Sequence, residues 1–170
     1  MIHFNKVVGA TWLLALGGLG GCSSDLSYDM GKRDQLSDEA KAHRWETDWA
    51  KDVEKAPNDP RIEEYVFAAG KPKCNLYICD MLYNVGITPP LTNDGKSLDS
   101  NGKWPITASM WTGFVPGWTK VTTQKKGDIR SNGTHCGIAV DETYTMAAGS
   151  KQVYMDKDIN DGTIQRYDND

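Results

Sequence analysis

Trp118 divides this chain into two textures, and the division constrains the fold more than any other feature. Before it, apolar residues recur at helical spacing. Ser37 with Asp38 and Glu39 reads as a helix start, an N-cap followed by two anions at the positive end of the dipole. Ala42, Trp45, Trp49, Val53 and Ala56 then recur at three and four, an apolar stripe that Pro57 and Pro60 end. A short second helix is predicted over 61–69, broken by Gly70-Lys71-Pro72-Lys73. A third is predicted over 74–85. There Ile78, Met81, Leu82 and Val85 share one face, Gly86 caps the end, and Pro89-Pro90 prevents continuation.

After Trp118 the runs 120–123, 128–130, 135–140, 143–147, 152–155 and 163–167 are short, β-rich and separated by Gly, Asn or Asp. Helices first and a meander second predict an α+β domain with an antiparallel sheet, spanning 37–170. Residues 91–118 read as a long connection. Trp104, Trp111 and Trp118 are evenly spaced in it, but Pro105, Gly113, Pro116 and Gly117 forbid one continuous helix.

The main apolar run lies at the start. Val7 to Leu19 follows the single cation Lys6 and is about 13 residues long, short of the ~20 that span a bilayer. It fits the apolar region of a secretory signal peptide. It ends Leu19-Gly20-Gly21-Cys22-Ser23-Ser24, and small residues before a cysteine, with Leu three positions upstream, resemble the bacterial lipobox. The resemblance implies a signal peptide over 1–21, diacylglycerol on Cys22 and, with Ser23 in place of Asp, sorting to the outer membrane facing the periplasm. Residues 22–36, polar and short of apolar side chains, then read as a tether. Removing 1–21 takes away one cation and no acid, so the formal charge of −4 becomes −5. The charges are scattered without a basic block, which argues against a nucleic-acid binder that neutralises phosphates.

Two residues carry candidate chemistry. Cys74 opens the third helix, and His135 opens an apolar strand some sixty residues later, the pattern of a nucleophile and a remote base. A helix N-terminus and nearby cations favour thiolate over thiol, and Cys74 has both, with Lys71 and Lys73 beside it. Its backbone N–H would also face a developing oxyanion. Metal ligation by Cys74, Cys79, His135 and Cys136 does not follow a zinc spacing, and no residue set calls for a cofactor.

Lys73-Cys74-Asn75-Leu76-Tyr77-Ile78, then Lys126-Gly127-Asp128-Ile129, then Thr134-His135-Cys136-Gly137-Ile138-Ala139-Val140, resembles the papain-like cell-wall hydrolases of the NlpC and CHAP types. The same ordered set is similar to the amidase effectors of bacterial type VI secretion. The resemblance covers about residues 60–155. It implies a papain-like fold, the nucleophile helix packed on the sheet, and cleavage of amide bonds in peptidoglycan stem peptides. Cys74 matches the nucleophile, His135 the base, Gly137 a close approach and Asp128 a structural position.

The chain departs from that family at the group that orients the imidazole. The strand after His135 reads Thr143-Tyr144-Thr145-Met146-Ala147-Ala148 and holds no such side chain. With Asp141-Glu142 as the turn, Ala148 falls opposite His135, Ser150 is one diagonal step away, and Asp141 is about 20 Å along the strand. The expected site is therefore a Cys74–His135 dyad, with Ser150, a backbone carbonyl or no group as its third member. Trp104, Trp111 and Lys73 are candidate substrate contacts, against packing for the tryptophans and a solvated surface for the lysine. Alternation along the strand turns Cys136 away from His135, and Cys79 is rotated about 140° from Cys74 on the helix, which disfavours a Cys79–Cys136 disulfide. Besides a lipid-anchored hydrolase, the same features fit a non-catalytic lipoprotein that binds the wall or a partner, and an antibacterial amidase toxin.

Overall fold

The computed structural model describes residues 31–62, 67–157, 159 and 161–169. The signal peptide, Cys22 and the first part of the tether lie outside the described residues. Among those described, no helix is long and apolar enough to cross a membrane.

The fold is α+β. Helix α1 (Lys32–Ala42) starts inside the stretch read as tether and stops far short of Pro57. Ser37 is buried within it and is not its N-cap. The stripe beyond Ala42 does not continue the helix because tertiary pairing competes with it. Trp45 donates its N–H to the Val153 carbonyl, and the Glu46 carbonyl accepts from the Val153 N–H, so this segment runs along a sheet strand. Trp49 still reaches the core, edge-on to Tyr77, with its indole N–H donating to buried Asp80. Trp45 and Val53 are exposed. No described residue continues the helix predicted over 61–69: Arg61 and Ile62 form a turn and a bend, and Phe67 makes an isolated bridge to Lys55.

Helix α2 (Cys74–Asn84) forms as predicted. Gly86 takes φ +71°, and the Ile87 N–H reaches back to the Leu82 carbonyl, closing the helix in the left-handed cap that favours glycine. Every residue from Leu76 to Leu82 is buried, so α2 is the central rod of the core and not a surface helix.

Six strands form one antiparallel sheet: β3 (Trp118–Val121), β4 (Ile129–Ser131), β5 (Cys136–Ala139), β6 (Thr145–Ala148), β7 (Val153–Asp156) and β8 (Thr163–Tyr167). Its order is β3-β8-β4-β5-β6-β7. The β4–β7 part is the predicted meander, whereas β8 inserts between β3 and β4. Both helices lie against β5. Cys136, Ile138, Met146, Ala148 and Val153 join Leu76 and Ile78 of α2 in the main core.

The 91–118 connection is ordered by its aromatics. β1 (Leu91–Thr92) pairs with β2 (Trp104–Pro105), and Met110–Thr112 make one 3-10 turn. Trp111 meets Trp118 edge-on at 5.2 Å, and Gln165 donates to the Trp111 and Gly113 carbonyls.

Gly127-Asp128 has a structural explanation. Gly127 takes φ +78°, and a Cβ there would collide with the Arg33 backbone of α1. Asp128 is fully buried. It accepts from the Lys125 N–H and from Nε and Nη2 of Arg166 on β8, with Arg33 of α1 at 3.8 Å. One carboxylate thus ties α1, the start of β4 and β8 together. Asp128→Ala removes the carboxylate that holds the Arg166 fork and the Lys125 N–H, and should lower unfolding free energy by about 2 kcal/mol, measured by urea denaturation. Arg166→Ala should cost at least as much, because it leaves a fully buried carboxylate with only the Lys125 N–H and the more distant Arg33.

Candidate active site

The first turn of α2 is anchored by the residue before it. Lys73 is fully buried, and its ammonium donates to the carbonyls of Ala50, Lys51 and Lys71 at 3.0–3.2 Å. A buried cation must be satisfied this way, and burial lowers its pKa. Lys73 is therefore not a substrate contact: its charge is consumed inside the protein. It fixes the N-terminus of α2 against the 50–51 segment, while Lys71 remains exposed. Lys73 gives α2 no side-chain cap, and Tyr77 is the first residue whose N–H bonds back to the Lys73 carbonyl. The N–H groups of the opening turn are thus directed outward around Cys74.

His135 sits on the hairpin between β4 and β5. Ser131 pairs with Cys136, and the Asn132 N–H donates to the His135 carbonyl. Gly133 takes φ +89° in the two-residue turn. The Asn132 side-chain oxygen accepts from the Thr134 and His135 N–H groups, at 3.1 and 2.8 Å. Glycine at the first central position of a two-residue turn is a hairpin signal, and with the Asn132 side-chain bonds it fixes the backbone that carries the imidazole.

The structure brings the Cys74 and His135 side chains beside one another, close enough for each to shift the other's titration. Two further groups complete the cluster. Cys136 adjoins the Cys74 sulfur, and its thiol and backbone N–H both favour the thiolate. Buried Nε2 of His135 lies 3.6 Å from Oδ2 of Asp156, and the Tyr154 hydroxyl donates to that same oxygen at 2.9 Å. Asp156 is 5% exposed.

Asp156, and not Ser150 or a backbone carbonyl, is thus the polar group beside the imidazole. The loop after β5 has three residues, with Val140 donating to the Tyr144 carbonyl, and Asp141 accepts from the Thr143 and Tyr144 N–H groups inside it. The pairing becomes Ile138 with Met146, one residue from the expected register. Continued outward, that register sets Gly149 opposite His135 and moves Ser150 into the exposed β6–β7 turn. The carboxylate beside the ring comes from one strand further, where Asp156 pairs with Thr145. Cys136 also corrects an expectation. His135 belongs to the turn and precedes β5, so strand alternation does not place the two residues on opposite sides of Cys74.

Trp111 is 1% exposed in the core and cannot line a groove. Trp104 is exposed on β2, which packs on α2. Pro105 and Asn75 line one small cavity, so Trp104 stands on the strand beside the first turn of α2. Cys79 is buried and, like Cys74 and Cys136, a free thiol.

These contacts set the electrostatics. The Cys136 thiol, donating to the sulfur, is the largest influence on Cys74; burial opposes it, and His135 adds a hydrogen bond and a charge. The result is a pKa held down at about 4. His135 is raised, first by its bond to Cys74, against burial, and then by the charges of Cys74 and Asp156. Cys136 is pushed up by its bond to Cys74 and by burial, so it keeps its proton and donates. Above about pH 4 the pair is thiolate and imidazolium until the raised His135 pKa is passed. That is a nucleophile with a proton ready for a leaving group. No protein family, curated protein or solved structure matches the chain.

Iodoacetamide alkylation of Cys74, followed by mass spectrometry across pH, should retain its rate down to about pH 4. Cys136→Ala removes the strongest donor to the thiolate, and the alkylation midpoint should move to higher pH.

Proposed function

We propose that this chain is a papain-like cysteine hydrolase, lipid-anchored through Cys22 at the outer membrane and facing the periplasm, that cleaves amide bonds of peptidoglycan stem peptides. The observation that carries the reading is one cluster: Cys74 at the opening of α2, His135 beside it, and Asp156 3.6 Å behind the imidazole. The lipobox-like segment and the ordered motif set supply the compartment and the substrate class.

The chemistry follows from the geometry. The Cys74 thiolate attacks the amide carbonyl carbon, and the oxygen gathers negative charge beside the outward N–H groups of the α2 opening turn. The His135 imidazolium gives its proton to the leaving nitrogen as the C–N bond breaks, leaving a thioester on Cys74. Neutral His135 then takes a proton from water, which attacks the thioester. The acid is released, and the sulfur leaves as thiolate. Asp156, 3.6 Å from Nε2, stabilises the cationic form of the ring at the start of the cycle.

A second reading, a non-catalytic protein that binds the wall or a partner, draws on one observation: Cys74 is 5% exposed. It requires Cys74 to alkylate no faster than a free thiol at neutral pH.

The test is digestion of purified peptidoglycan with mass spectrometry of the released muropeptides, which also identifies the bond. The intact protein should release new amines and Cys74→Ala none; full activity of that variant ends the hydrolase reading. Asp156→Asn should retain the fold and lower kcat at least about tenfold. It removes a negative charge from beside the imidazolium, so the His135 pKa falls and the alkaline limb of the pH–rate profile should move to lower pH.

A further inference from the structure

Trp45 is the one non-glycine residue at positive φ among the described residues, at +75°. A tryptophan held there is strained and persists only where its surroundings impose it. Here they do, through the two backbone bonds that join Trp45 and Glu46 to Val153 of β7. The strain is not recovered by burying the ring: the indole is 58% exposed. Instead the indole is displayed, with the Arg44 guanidinium 4.5 Å above it.

Both residues line a groove of about 480 Å³, together with Ser150, Lys151, Gln152 and Tyr154. On a chain of net charge −4, this groove carries two cations, Arg44 and Lys151, and no acid. Neither cation is paired with a carboxylate among the described residues.

The groove adjoins the Cys74 cluster by two routes. Tyr154, on its wall, donates to Asp156, which faces His135. The carbonyl of Ser150, another lining residue, accepts from the Lys51 N–H, and the Lys51 carbonyl accepts from Lys73, the residue before Cys74.

We propose that this groove binds the carboxylate-bearing part of an acidic peptide, with Arg44 and Lys151 on the carboxylates and the Trp45 indole against the chain, and so seats a neighbouring amide at Cys74. The inference rests on the hydrolase reading and deepens it, since it selects substrates by negative charge next to the cleaved bond. Guanidinium and ammonium groups on a partly enclosed wall form charge-assisted hydrogen bonds, and a stacked Arg44 has its planar fork already oriented.

The test uses the full chain carrying Cys74→Ala, titrated calorimetrically with two probes. One is a synthetic stem peptide with free carboxylates, and the other is the same peptide fully amidated. The free-carboxylate peptide should bind about tenfold more tightly, with the difference shrinking as salt rises. Arg44→Gln with Lys151→Gln should abolish the difference. With Cys74 restored, the same pair should leave its alkylation rate unchanged, because neither residue touches the sulfur. Trp45→Gly should weaken binding of both probes without lowering Tm, since glycine relieves the strain; a Trp45 that served only packing would lower Tm and leave binding alone. Equal affinity for both probes, or a preference that survives the double substitution, overturns the proposal. Retained preference with no cleavage by the Cys74 protein overturns the hydrolase reading and supports the groove as a carboxylate site.

Discussion

The position of the candidate nucleophile depends on a buried ammonium. Lys73 places its charge inside the protein, where it must be satisfied, and the three carbonyls that satisfy it belong to two separate segments. That requirement holds the opening turn of α2 against residues 50–51. The same 50–51 segment bonds onward to the β6–β7 turn through Lys51 and Ser150. The helix N-terminus and the adjoining groove are thereby referenced to one point. A helix whose first turn frayed would lose the outward N–H groups and the sulfur's place together.

The sulfur itself sits in a setting that combines opposing influences. Burial favours the neutral thiol, yet a thiol donor, a backbone N–H and an imidazole all favour the thiolate. The donors prevail because they are directional and close, whereas the penalty from burial is spread over the whole site. Cys136 is the unusual member. A second thiol is a weak donor beside a hydroxyl or an ammonium, but it is small, apolar in bulk and compatible with the core of Cys136, Ile138 and Met146. It stabilises charge without bringing water or another full charge into the core.

Sequence pattern disclosed the parts of this fold that depend on local chemistry. Helix α2 was legible because its apolar spacing, Gly86 cap and prolines agree, and β8 because its run is bounded by clear breaks. The Cys74–His135 pair was legible as types in order. What failed did so where tertiary contact outweighs local preference. The Trp45 stripe has helical spacing, but Val153 captures its backbone. Lys73 looked like a surface cation because its three carbonyl partners come from turns with no signature. Asp156 was hidden because finding it required both the three-residue loop at Asp141 and the pairing of a further strand. A single-residue error in register moved attention to Ser150. The signal that could have found Asp156 was modest: an acid closing a strand that also holds Val153 and Met155, in a sheet that otherwise ends its strands on uncharged residues.

The insertion of β8 between β3 and β4 dictates an order of assembly. The β4–β7 meander, which carries His135, Cys136 and Asp156, can zip up from neighbouring segments as soon as they exist. Strands β3 and β4 cannot pair with each other, because the place between them is reserved for residues 163–167. Until those residues arrive, β4 presents an open edge, and Asp128 waits without the Arg166 fork. The chemistry-bearing half of the sheet thus rests on pairings between neighbouring segments, and its charged clamp on a pairing that closes a long loop.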